Sequence, residues 1–234
     1  MHFHGTPITP RAKLLELVGR NFCVSFARDE NLAVCHEIGQ SVMLDNGAYS
    51  VWKRGATLDL AVYSEWVRPW LDYRTTWCVI PDRIDGSEEE NDDLLAAWAD
   101  YGLPRGQCTP VWHLHERISR LKRLSRGYPK VCLGSSGQYA TVGDERWHRR
   151  MTDAMDQLCG DGPPPCWLHM LRGLGLAGSH YPFASADSTN IGTNHAGNHT
   201  ENRRIRSTRA MADEVDGLQC APRWRRTQEQ LSLV

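Results

Sequence analysis

Short apolar runs alternate with longer amphipathic stretches along almost the whole chain. The short runs fall at 2–4, 22–27, 42–45, 77–82, 109–113, 131–134, 167–171 and 183–187. Runs this short and this apolar read as buried strands. Between them, apolar residues recur at three- and four-residue spacing, as Leu94, Leu95, Trp98 and Tyr101 do. That spacing predicts helices over 10–18, 31–38, 58–71, 88–101, 116–125 and 144–158, and a last one near 205–215. Pro10 near a helix start and Gly102 just past a helix end are the expected punctuation. One link departs from the pattern: 172–181 is Gly-rich and carries no full helix.

Strands alternating with helices imply a parallel sheet covered by helices. Eight such strands in 234 residues predict an α/β fold closed as a single (β/α)8 TIM-type barrel. An open doubly wound sheet is the alternative. No linker-like stretch divides the chain, so one barrel domain is expected over 1–234, with a basic C-terminal segment from about 200.

Composition narrows the setting. Apolar residues make up 41% and charged residues 24%, enough for an ordinary core. The net charge of −1 gives no global field toward nucleic acid or membrane, so any basic surface must be local. No apolar run is long enough to span a bilayer, and the first residues lack the basic-then-apolar order of a signal peptide. Of eight cysteines, Cys23, Cys78, Cys108, Cys132 and Cys166 sit in or beside apolar runs, as free thiols do in a reducing compartment. The expectation is a cytoplasmic protein with no membrane partner. Nine tryptophans are dispersed along the chain, most of them suited to packing and a minority to base stacking.

A barrel places its chemistry at the carboxyl ends of its strands. Those ends read Leu44-Asp45-Asn46-Gly47, Ile80-Pro81-Asp82, Val111-Trp112-His113, Leu133-Gly134-Ser135-Ser136-Gly137 and Ser185-Ala186-Asp187. Alone, Asp45 suits an Asx turn and Asp82 a cap. Together, three carboxylates, a histidine and a Gly/Ser loop converge on one face.

These segments resemble, in order, the motifs of tRNA-guanine transglycosylases and of their DNA-acting relatives, the 7-deazaguanine DNA transglycosylases. Leu44-Asp45-Asn46-Gly47-Ala48-Tyr49-Ser50 is similar to that family's Asp-Ser-Gly-Gly-Phe-Gln segment. Val79-Ile80-Pro81-Asp82 is similar to the strand whose aspartate reads the guanine edge. Val111-Trp112-His113 falls where the family has Val-Gln-Gly, and Leu133–Gly137 resembles its base-pocket loop. Ala186-Asp187-Ser188 falls at its nucleophilic aspartate. The chain departs from the family in three ways. It has no Cys-x-x-Cys and hence no zinc subdomain, Ala48 replaces the second glycine of the first motif, and the guanine-reading glutamine is absent, with His113 the nearest polar candidate. The resemblance implies cleavage of a base–sugar bond more strongly than it implies a particular base.

Breaking that bond builds positive charge on the sugar and negative charge on the base. The expected roles follow from this chemistry. Asp187 is the nucleophile and Asp45 the second acid. Asp82, His113 and the backbone of Gly134 and Ser135 hold the base, and Tyr49 stacks on it. Trp112 either stacks likewise or packs against the outer helices, since adjacent strand residues point opposite ways. Arg203, Arg204 and Arg206 follow the nucleophile and are candidates for backbone phosphates. The expected substrate is a flipped-out base in DNA rather than tRNA, with no cofactor and no metal. Water as acceptor gives base excision, in a defence or repair role; a free 7-deazaguanine gives exchange. Two other classes fit parts of the sequence. A metal-dependent hydrolase would use His113 and His115 with Asp187, or His195 and His199 if helical. A non-catalytic nucleic-acid-binding barrel would keep the basic clusters and have no use for Asp187.

Overall fold

The computed structural model describes residues 1–194 and 207–226. In chain order the strands and helices are β1 (His2–Gly5), α1 (Arg11–Leu15), β2 (Asn21–Ser25), α2 (Leu32–Ile38), β3 (Ser41–Asp45), α3 (Ala48–Lys53), α4 (Leu60–Val67), β4 (Thr76–Val79), α5 (Glu88–Ala99), β5 (Cys108–Thr109), β6 (Val111–His113), α6 (Ile118–Gly127), β7 (Lys130–Gly134), α7 (Glu145–Cys159), β8 (Trp167–Met170), β9 (Ser185–Ser188), α8 (Asn190–Asn194) and α9 (Thr208–Asp216). All pairings within the sheet are parallel, in the order β5-β4-β3-β2-β1-β9-β8-β7-β6. The two strands at the ends of that order, β5 and β6, are consecutive in the chain and separated only by Pro110. The nine-stranded sheet therefore curls into a nearly closed barrel.

Proline accounts for two differences from the expected strands. A run at 109–113 becomes two short strands because Pro110 has no N–H to donate. Its carbonyl still accepts from Cys132 N at 2.9 Å, so the chain changes partner at this residue, from β4 to β7. The run at 77–82 stops as β4 at Val79, just ahead of Pro81. The segment expected as one helix over 58–71 is α4 followed by a 3₁₀ turn, Arg68–Trp70, whose second residue is Pro69. Helix α3 was not expected: it buries no residue, so it has no apolar stripe to reveal it. The start of α5 does carry its signal, a capping box of Ser87 and Glu90.

Side chains alternate across the sheet wall. Outward-facing residues of β2–β4 pack with α1, α2, α4 and α5 around Phe22, Val24, Leu44, Tyr63 and Trp98. Outward-facing residues of β6–β9 pack with α6 and α7 around Trp112, Leu133, Trp147 and Met155, and this cluster also receives Trp224 from the C-terminal segment. Inside the barrel lies a third cluster of Phe3, Cys23, Met43, Trp77, Val79, Val111 and Cys132. All eight cysteines are free; Cys166, expected to be buried, is only partly so. Among the described residues no helix is long and apolar enough to cross a membrane.

Candidate active site

The inner cluster dictates where the site lies. Moving two residues toward the carboxyl end of a strand keeps a side chain on the same face. From Met43, Val111 and Cys132 that step leads to Asp45, His113 and Gly134. From Phe3 and Cys23 it leads to Gly5 and Ser25, and from Ser185 to Asp187. All six line one cavity of about 300 Å³ at this end of the barrel. Its floor is the apolar cluster and its walls are the polar residues one step above. Asp82 reaches the same cavity from the loop after β4.

Asp187 is buried and held from one side. Its Oδ1 accepts from the Arg172 backbone N–H at 2.9 Å and faces His169 Nε2 at 3.3 Å. One placement of the His169 proton satisfies all four groups, with the ionised Asp187 able only to accept. Trp167 Nε1 can only donate, and it reaches Ser185 Oγ at 2.7 Å. The Ser185 hydroxyl hydrogen is then free for His169 Nδ1, also at 2.7 Å. That leaves Nε2–H directed at Asp187. A chain Trp167–Ser185–His169–Asp187 thus fixes the carboxylate from below. No donor among the described residues is recorded on Oδ2, and the side chain lines the cavity.

Asp45 sits across the same space. Its Oδ2 accepts from the Gly47 N–H at 3.0 Å, in the Asx turn its neighbours favour. Gly47 adopts φ +71°, the left-handed conformation that lets the chain turn into α3. Burial pushes the Asp45 carboxyl up to about 6, with the charge of Asp187 as the next cause and that of Asp82 adding to it. Asp82 is tied down instead. His113 Nε2 donates to its Oδ2 at 2.8 Å and Asn46 Nδ2 to its Oδ1 at 2.7 Å. Asn46 also donates to the Ile80 carbonyl at 2.9 Å, locking the loop that carries Asp82. His113 Nδ1 is buried with no hydrogen-bond partner among the described residues and lies against Gly134, where a Cβ would come within 2.7 Å of it. Gly134 thus makes room for the His113 ring, whatever its backbone contributes.

The mouth is built by α3 and the segments that carry Arg28, Ser135 and Arg172. Tyr49, on α3, is exposed, and the Arg172 guanidinium lies 5.3 Å from its ring centroid. Arg172 also donates through Nη2 to the Ser135 carbonyl at 2.7 Å and takes φ +57°, which is uncommon for a residue with a side chain. One residue of the Gly-rich link therefore joins Asp187, Ser135 and Tyr49. The Ser135 hydroxyl accepts from Trp147 Nε1 at 2.9 Å, anchoring its loop to α7. Arg28, after β2, lines the opposite side and pairs with Glu30.

Of the residues expected from the sequence, Asp187, Asp45, Asp82, His113, Gly134, Ser135 and Tyr49 all line this cavity. Trp112 does not; it faces outward, fully buried, with Nε1 donating to the Arg117 carbonyl. Arg203, Arg204 and Arg206, with His195 and His199, lie outside the described residues. His113 and His115 do not converge on a common point. Their rings stack 5.6 Å apart, and His115 is engaged with Ser136 Oγ and the Gly86 carbonyl. Among the described residues no group of three or more His, Cys, Asp or Glu side chains is arranged to hold a metal ion. Arg172, Arg28, Asn46 and the orienting role of His169 were not foreseen. Position two residues below Asp187's level on a neighbouring strand is the one signal that would have found His169.

Comparison with family models, with curated proteins and with solved structures gives no match for this chain.

Proposed function

We propose that this chain cleaves the N-glycosidic bond of a base flipped out of DNA, using Asp187 as the nucleophile. In this reading the fold is a (β/α)8 barrel in which β5 and β6 are one strand interrupted at Pro110. The observation that carries the proposal is the pairing, in one cavity, of an oriented carboxylate, one oxygen of which meets no donor among the described residues, with a second carboxyl raised to about 6. Two acids held in different states are what glycosidic cleavage needs. The cavity's size, at the small end for ligand sites, suits one nucleoside rather than a polymer.

The chemistry runs as two displacements at the anomeric carbon. Asp187 Oδ2 forms a bond to C1′ as the C1′–N bond breaks, and its electron pair leaves with the base. Asp45, protonated, gives its proton to the departing base. An acceptor then attacks C1′, Asp187 leaves as carboxylate, and Asp45 takes up the acceptor's proton. Water as acceptor gives excision; a 7-deazaguanine gives exchange. Asp82, braced by His113 and Asn46, accepts hydrogen bonds from the base edge, and Tyr49 with Arg172 covers the mouth.

The test is to incubate the protein with modified and unmodified DNA, with and without free 7-deazaguanine, and to identify released bases by mass spectrometry. Asp187→Asn keeps the shape and lowers base release by on the order of 10³-fold or more. Release at the normal rate by that variant would remove Asp187 from the role.

A further inference from the structure

A second cavity of about 250 Å³ adjoins the first. Ala48, Asp82 and Ile84 line both, so the wall between them is one side chain thick. We propose that this second cavity seats the base that flanks the target nucleotide in a single DNA strand, stacked on Trp52. The proposal rests on the nucleic-acid reading above and names the form of substrate that reading leaves open.

The case begins with α3. This helix buries none of its residues, so core packing does not explain its two large aromatics. Tyr49 is 49% exposed and Trp52 46%, with ring centroids 5.9 Å apart and planes inclined by 38°. Tyr49 faces the first cavity and Trp52 the second. An exposed indole costs free energy unless something covers it. Trp52 is also held in place: its Nε1 donates to Asp85 Oδ2 at 3.0 Å, which limits rotation of the ring. Val51, Leu58, Leu60 and Leu94 supply the apolar part of the remaining wall, and Thr57, Asp82, Arg83 and Asp85 its polar part. An aromatic face with apolar sides accepts any base, because every base has a π-face.

Charge points to the same occupant. Lys53 and Arg54 follow Trp52 directly and are exposed, and the Arg54 guanidinium is steadied by a 3.0 Å bond from Nε to the Ser50 carbonyl. They close the helix that carries both aromatics, which puts two cations next to the aromatic pair in the chain. A flanking base in a duplex stays paired and stacked, and is not free to enter a cavity. The occupant is therefore a base of a single strand.

Binding is measured with Asp187→Asn protein, so that no turnover intervenes, by anisotropy of a short labelled single-stranded DNA of mixed sequence and of its duplex. Adding Trp52→Ala weakens single-strand binding about tenfold or more. Trp52→Phe, which keeps a π-face, retains most of the affinity. Trp52→Leu keeps apolar bulk without the π-face and behaves like alanine, which covers the case in which the alanine variant misfolds. Duplex binding is weaker and indifferent to all three. Unchanged single-strand binding by both the alanine and the leucine variant overturns the subsite, as does an equal loss on duplex. If the parent binds no DNA of either form, the functional reading itself falls, an outcome distinct from both of these.

Discussion

At the scale of single residues the sharpest consequence belongs to Asp45. Burial and the neighbouring charges raise its carboxyl from an ordinary 3.8 to about 6. Protonation is therefore easier in the folded chain than in the unfolded one. Between those two values the folded state binds more protons, so the stability it contributes falls as pH rises and is lowest above about 6. Asp45→Asn removes that cost. At pH 7.5 the variant melts higher than the parent, by no more than about 3 kcal/mol in stability; at pH 3, where the carboxyl is protonated in the folded and the unfolded chain alike, the two melt together. A thermal melt at the two pH values checks this, and an unchanged difference between them would contradict it. Under the proposed chemistry the same group is the acid, so kcat/KM for base release falls as pH rises through about 6. In Asp45→Asn the rate is lower and that limb is gone. Both acids at strand mouths were legible in the sequence, because period-two alternation puts every second residue of a barrel strand inside. Arg172 was not. Its hold on Asp187 is a backbone N–H set by a left-handed φ, and neither has a residue-type signature.

At the scale of elements, the site depends on how closely β6 and β7 approach. His113 and Gly134 are register partners, and the imidazole occupies the space a side chain at 134 would need. Gly134→Ala pushes the His113 ring away from Asp82. The expected cost is about 1–3 kcal/mol of stability, with base release falling further than that loss accounts for, because Asp82 loses its brace. Activity measured well below the melting temperature separates the two effects; a variant less stable but fully active would place the His113–Asp82 contact outside the reaction. Element boundaries were legible where they are made by caps and apolar stripes, as at Ser87–Glu90 for α5. They were missed where the determinant is a proline inside an apolar run, as at Pro81 and Pro110, or where a helix buries no residue fully, as with α3.

For the molecule as a whole, the C-terminal segment returns to close the second outer core. Trp224 is buried, stacks on Tyr181 with planes 9° apart, and donates from Nε1 to Asp156 Oδ1 at 2.6 Å. It lines neither of the two adjoining cavities. Trp224→Ala therefore lowers stability by about 3–5 kcal/mol, a fall in melting temperature of roughly 10 °C for a chain of this size. DNA binding measured below the melt stays at the parent's level; a loss there would tie the segment to the substrate surface. The parallel, helix-covered sheet was legible from alternation alone, whereas this return was not, since one tryptophan near a chain end carries no pattern.

Pro110 gives the barrel a seam. On one side of it the chain has supplied Asp45, Asp82, Tyr49 and Trp52; on the other it supplies His113, Gly134, Arg172 and Asp187. The buried members of the second outer core all follow Pro110, whereas the first also takes Ile191, Met211 and Ala212 from beyond it. The His113–Asp82 bond bridges the two halves beside the seam. The groups of the candidate site are thus divided between the two sides of the seam, and under the proposed chemistry neither half-barrel acts before the two have docked.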